Sequence, residues 1–256
     1  MYLSTKPGKE RWGRVSDRLK VHGSEGLWGN MPFNQISRAS RFTSLGCQFD
    51  GTGYNTTDEV QTLASGTIAP AAGGLLFTTA ASTTAVVTRS TRTVTPATGQ
   101  TWKAVVKVAS TTAATCGVLL NLAAVSTTPF TNTTDMIQIH CPSNSAALTA
   151  TVRGNSGTAA TLTSFNIAGA AAGAVSLVDV TNKELGIEFY IGATAAECWG
   201  LWWIGEVSTP FTAAQIVQLF AMMTTPAALA RHFSVLPDGS ARTVTVQYLM
   251  ANVFEA

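Results

Sequence analysis

"TWKAVVKVAS" (residues 101–110) decides the fold class. Trp102, Ala104, Val106 and Val108 fall on one side of a two-residue period, and Lys103, Val105 and Lys107 fall on the other. Successive side chains of an extended chain point to opposite faces, so this alternation predicts a strand with one side toward a core. "RTVTVQYLMANVF" (242–254) repeats the pattern, with Val244, Val246, Tyr248 and Met250 set against Thr243, Thr245 and Gln247.

Working outward, β-branched runs recur from about residue 46 onward. They include 74–79, 85–89, 115–122, 136–141, 147–153, 161–167, 183–191, 199–206 and 232–236. "RGNSG" (153–157) and Pro237-Asp238-Gly239 read as the turns between such runs. Many short strands with closely spaced turns predict an all-β protein, an antiparallel β-sandwich of jelly-roll type. One short helix is expected over 212–223, where Ile216, Leu219, Phe220 and Met223 share a face, Thr212 caps the start and Pro226 lies past the end. "APAAGG" (69–74) and "AGAAAGA" (168–174) read as tight loops or close strand contacts.

Composition agrees with this class. Apolar residues make up 46% of the 256 and charged residues only 12%, so Thr, Ser, Asn and Gly must carry solubility. The net charge of +2 divides unevenly. Residues 1–42 hold eight basic and three acidic side chains, a net +5, and residues 43–256 hold eight and eleven, a net −3. The expected organisation is an N-terminal arm over 1–45 and a sandwich domain over 46–256. The arm's positive charges are dispersed, which argues against nucleic acid as a partner. No window approaches the roughly 18–20 apolar residues of a membrane span. Lys6 to Lys20 is charged where the apolar core of a signal peptide would lie.

"ERWGRVSDRLKVHGSEGLWGNMPF" (10–33) places apolar side chains in a basic, weakly patterned stretch. Trp12, Leu19, Leu27, Trp28, Met31 and Phe33 are candidate anchors for pockets on a neighbouring subunit, since buried aromatics dominate interface energetics. Arg11, Arg14, Arg18 and Lys20 are candidates to meet acidic patches and set register. The alternative is that Trp28 and Phe33 cover an open end of their own sandwich.

The search for chemistry yields little. His22, His140 and His232 have no companions at metal-ligand spacing, so no metal site and no cofactor are expected. Cys47, Cys116, Cys141 and Cys198 are far apart and read as buried free thiols of a reducing compartment. Ser156 sits in a turn. Glu184, Glu188, Glu197 and Glu206 read as solvent-face charges rather than as an acid pair. No catalytic residue is assigned. "ECWGLWWIG" (197–205) is the densest aromatic patch, with Trp199 and Trp203 on one face and Trp202 and Ile204 on the other. It reads as core, as a subunit interface or as a ligand-stacking platform.

Three segments in order resemble the head decoration (cement) proteins of tailed bacteriophages with a concanavalin-like jelly-roll domain. They are "GLWGNMPFNQI" with "FTSLGCQFDG" (26–36 and 42–51), "TWKAVVKVASTTAATCGVLLNLAAVSTTPFTNTTDMIQIH" (101–140), and "KELGIEFYIGATAAECWGLWWIG" (183–205) leading to "ALARHFSVLPDGSARTVTVQYLMANV" (228–253). The resemblance implies a non-enzymatic virion protein, made in the bacterial cytoplasm and bound to the outer capsid surface. Its partners would be the phage major capsid protein and other copies of itself, as a homotrimer first and a dimer second. The rival expectation on the same fold is a carbohydrate-binding or receptor-binding module of a phage fibre or tail, with Trp199 or Trp202 exposed.

Overall fold

The computed structural model describes residues 41–44, 59–72, 74–81, 84–111, 117–129, 134–141, 147–167 and 170–255. The candidate anchors and charges of the arm, at positions 11–33, lie outside the described residues.

Two antiparallel sheets face one another. Sheet 1 holds, in spatial order, β15 (Val207–Pro210), β14 (Trp199–Ile204), β13 (Glu184–Tyr190), β6 (Gln100–Thr111), β17 (Thr243–Glu255), β4 (Gly74–Thr78) and β3 (Thr67–Ala71). Strand β1 (Arg41–Ser44) also pairs with β17, from Arg41 opposite Glu255 to Ser44 opposite Asn252. Residues 41–44, counted with the arm in the sequence reading, are therefore part of sheet 1. Sheet 2 holds β10 (Ala160–Leu162), β9 (Thr149–Arg153), β8 (Met136–Cys141), β7 (Gly117–Ala123), β16 (Ala230–Leu236), β5 (Val86–Ser90) and β2 (Glu59–Thr62). A small ribbon pairs β11 (Phe165–Ile167) with β12 (Ala170–Gly173). The architecture is the expected all-β antiparallel sandwich.

The core lies between the sheets. Trp102, Val106, Ile187 and Phe189 from sheet 1 are buried together with Leu120, Ile137, Val152 and Phe233 from sheet 2. Trp102 stacks on Phe189 at 5.8 Å, and its Nε1 donates to Gln100 Oε1 at 2.9 Å. Each such buried side chain contributes about 1.5–3 kcal/mol through the water it sheds.

Strict alternation fails in β17. A register shift around Val246 and Tyr248 marks a bulge at Gln247. Val244 and Val246 face the core, and so do Leu249, Ala251 and Val253 after it, so Tyr248 and Met250 turn outward. A bulge inserts one residue and reverses every later side chain, which corrects the grouping of Tyr248 and Met250 with the two valines. The stretch 69–74, expected as a tight loop or a close strand contact, is the end of one strand and the turn to the next. Its first residues form β3, and Pro70 is tolerated there because β3 is an edge strand.

The helix α2 (Ala213–Ala221) follows α1, a single turn at Leu177–Val180. Thr212 caps α2 by accepting from the Gln215 N–H at 3.2 Å. Gln215 is fully buried and ties the helix to both sheets. It donates to the Ala150 carbonyl at 3.0 Å and accepts from Trp202 Nε1 at 3.3 Å. The turn read at 153–157 is present. Asn155 and Ser156 have φ of 52° and 53°, the left-handed pair of a tight hairpin turn, and the Gly157 N–H donates to the Gly154 carbonyl at 2.9 Å.

One polar element crosses the interior. Arg231 of β16 and Glu59 of β2 form an ion pair with both side chains fully buried. Thr88 Oγ1 donates to Glu59 Oε2 at 2.8 Å, and Ser90 Oγ accepts the Arg231 N–H at 3.2 Å. A buried pair of charges persists only with such added hydrogen bonds.

Candidate functional site

The outward face of sheet 2 carries a row of polar side chains. Cross-strand pairing sets Thr161 opposite Thr151, Thr151 opposite Gln138, Gln138 opposite Asn121, Asn121 opposite His232, and His232 opposite Arg89. Six strands thus contribute one polar residue each at one level of the sheet. Five inter-strand spacings of about 4.8 Å make the row ~24 Å long. The neighbouring level holds Thr149, His140 and Ser234, and Arg153 stands opposite Met136 at the other side of the row.

Part of the row is internally bonded. Thr161 and Thr151 hydroxyls lie 3.1 Å apart, Asn121 Nδ2 donates to Gln138 Oε1 at 3.3 Å, and Thr149 Oγ1 lies 3.0 Å from His140 Nδ1. The other part is not. Asn121 Oδ1, His232 Nδ1, Ser234 Oγ, Arg89 Nε and Arg153 Nε are buried atoms with no hydrogen-bond partner. Asn121, His232 and Ser234 are themselves completely shielded from solvent. Leaving one such group unpaired costs about 1–3 kcal/mol, and native proteins show only a few in each hundred residues. Five on one face of one sheet make that face the candidate site.

The histidines fix what the face offers. His232 Nε2 accepts the Ser126 N–H at 3.2 Å. Burial, with the Arg231 and Arg89 charges nearby, pushes its pKa down to about 4. The neutral ring therefore carries its proton on Nδ1, where the Ala230 backbone is near but no hydrogen bond of good geometry forms. Burial likewise lowers His140 to about 4. The face presents two guanidinium donors, one imidazole donor, one amide acceptor and one hydroxyl that does both. That mixture suits a ligand rich in hydroxyl groups, which donate and accept at every oxygen.

The outward face of sheet 1 is built differently. Lys103 bridges to Glu188 at 3.3 Å and lies over the Trp203 ring at 5.0 Å. Trp203 rests on Gly186, where a Cβ atom would fall 2.0 Å from the ring, so only glycine admits it. Tyr248 donates to Glu184. Glu184 and Glu188 stand four residues apart on the same face of one strand, with Cα atoms about 13 Å apart.

The aromatic patch divides as its parity predicts. Trp202 is fully buried, stacked on Phe211 at 4.5 Å, and so belongs to the core and not to a surface patch. Trp203 is half-buried against Gly186. Trp199 is 41% exposed and stacks on Tyr190 at 6.4 Å. The polar row was missed in the sequence reading, although "MIQIHC" (136–141) alternates Met136, Gln138 and His140 against Ile137, Ile139 and Cys141. That alternation was the available signal. The contributions of Asn121, His232, Ser234 and Arg89 needed the pairing of strands distant in sequence. Among the described residues no group of three or more His, Cys, Asp or Glu side chains is placed to hold a metal ion.

No protein-family model and no curated protein sequence matches the chain. Solved structures do. An apo Crh5 transglycosylase is similar over 85% of each chain at 12% identity, with a TM-score of 0.53. An endo-β-1,3-glucanase from Pyrococcus furiosus is similar over 83% of this chain and 95% of its own, at 11% identity and a TM-score of 0.51. Arcelin-5, a lectin-like defence protein from Phaseolus vulgaris, is similar over 84% and 99%, at 9% identity and a TM-score of 0.50. These likenesses establish the jelly-roll sandwich shared by lectins and glucanases. They also overturn the expectation of a non-enzymatic protein, because the same fold serves a transglycosylase and an endo-glucanase.

Proposed function

We propose that this protein engages a carbohydrate chain across the outward face of sheet 2. The observation that carries this reading is the cluster of unpartnered buried donors and acceptors at Asn121, His232, Ser234, Arg89 and Arg153. Saccharide hydroxyls satisfy both kinds of group at once, and the jelly-roll fold is compatible with such a ligand. The exposed Trp199–Tyr190 stack offers a ring face on the other sheet and is a weaker candidate, because no buried unpartnered side-chain polar atom among the described residues lies on that sheet. The capsid contact, the trimer and the virion location implied by the segment resemblance gain no support from the fold comparisons, and the carbohydrate-binding alternative is the better backed of the two.

The test is affinity electrophoresis of the full chain through gels containing neutral and acidic polysaccharides, with release of reducing ends measured in parallel. The expected result is retardation by at least one polysaccharide, weakened in Asn121→Ala, which should still fold. Retardation with release of reducing ends would make the protein a carbohydrate-cleaving enzyme. Free migration through every gel would reject the reading.

A further inference from the structure

The same face has a charge that its hydrogen-bonding pattern alone does not explain. Arg89 on β5 and Arg153 on β9 both point a buried, unpartnered Nε–H into it. A guanidinium cannot shed its proton to escape burial, so each brings a permanent positive charge. Among the described residues no Asp or Glu stands at an outward position on any strand of sheet 2. Glu59 points inward to Arg231, and Asp135, at the start of β8, accepts the Asn155 N–H. Glu184 and Glu188 are on the other sheet. The two arginines are thus left without a counter-charge from the described part of the chain.

Their spacing narrows the ligand. β5 and β9 are separated by β16, β7 and β8, so four spacings put the arginines about 19 Å apart across the strands. One small anion cannot serve both. A chain with an acid group on repeated units can, while its hydroxyls meet Asn121, His232 and Ser234 between them. Guanidinium groups favour planar acid partners through paired, charge-assisted hydrogen bonds.

We propose that the saccharide held by sheet 2 is a polyanionic one, a chain of sugars bearing repeated carboxylate or sulfate-ester groups, with Arg89 and Arg153 as its two charge contacts. This rests on the carbohydrate reading above. A nucleic acid is also a polyanion, but the described outward residues of sheet 2 include no Phe, Tyr or Trp on which bases would stack.

Isothermal titration of the full chain at low ionic strength tests the inference with three probes of equal length. They are a short oligouronate, the same oligomer with its carboxyl groups reduced to alcohols, and a sulfated neutral oligosaccharide. The expected result is that an acidic probe binds about tenfold or more tighter than the reduced one. That preference should weaken as salt is added and shrink in Arg89→Gln and in Arg153→Gln. Tighter binding of the sulfated probe would support the inference and assign the acid group to sulfate. Binding of the reduced oligomer as tight as that of both acidic probes would overturn it, while leaving the carbohydrate reading intact. The wild-type comparison needs no variant, so a misfolded substitution does not blunt it. Tighter binding of a single-stranded oligonucleotide than of either acidic probe would also overturn it. Silence with every saccharide, neutral or acidic, would reject the parent reading as well.

Discussion

The two outward faces of this sandwich use similar residue types to opposite ends. On sheet 1 the central polar groups meet one another, Lys103 with Glu188 and Tyr248 with Glu184, and Trp203 lies over Gly186. On sheet 2 the central polar atoms of Asn121, His232 and Ser234 are shielded from water and left without partners. A face whose groups satisfy each other is stabilised and needs nothing further. A face that keeps desolvated donors and acceptors unpaired is less stable than it need be, and proteins tolerate that loss at functional sites. The contrast reaches single neighbours. Arg231 and His232 are consecutive, yet Arg231 pairs with Glu59 in the interior while His232 faces outward with a free Nδ1.

The largest expected effect falls on the interior side of that contrast. Glu59→Ala leaves a buried guanidinium without its acid and should lower unfolding free energy by about 3–5 kcal/mol in urea titrations. A loss below about 1 kcal/mol would show that the other contacts of Arg231 hold its charge without Glu59. Next comes sheet 1. Gly186→Val drives a side chain into the Trp203 ring and should cost about 1–3 kcal/mol, with saccharide affinity unchanged. A matching loss of affinity would mean that the ligand sits on sheet 1. Acidification should act on sheet 2. Both His232 and His140 have folded pKa values near 4, below the ordinary 6.5. Their contribution is complete above pH 6.5 and is lost as pH falls toward 4, because the unfolded chain takes up protons that the folded chain refuses. His232→Gln should therefore flatten the fall in melting temperature over that interval, and an unchanged slope would remove His232 as its source. The smallest effect has the opposite sign. Ser234→Ala deletes a buried hydroxyl with no partner and should raise stability by about 0.5–1 kcal/mol while weakening saccharide binding. If stability falls instead, the hydroxyl has a partner and the two faces differ less than their geometry indicates.

Much of the fold was legible because its determinants are local. Alternation in 101–110 and 136–141, left-handed turn residues at Asn155 and Ser156, and the Thr212 cap of α2 each act within a few residues, where sterics and short-range hydrogen bonding dominate. The failures were also physical. The bulge at Gln247 reversed the later half of β17 by inserting one residue that no two-residue period anticipates. Pro70 left 69–74 readable as either a tight loop or a close strand contact, and only the pairing with β4 chose an edge strand. The parity of Trp199, Trp202 and Trp203 was readable, but which side faced the core was not, since burial depends on what packs against each ring.

The candidate site shows the same division more sharply. By itself the sequence determined that Gln138 and His140 share a face, and likewise His232 and Ser234, because side chains two apart along a strand must do so. It also determined that the chain carries few charges, which is why two unpaired arginines stand out. Only the tertiary structure decided that β8, β7, β16 and β5 lie side by side in one register, joining residues up to 143 positions apart into a single row from Arg89 to His232. Strand order is set by how whole faces bury against each other, a cooperative property of the sandwich that no single segment encodes.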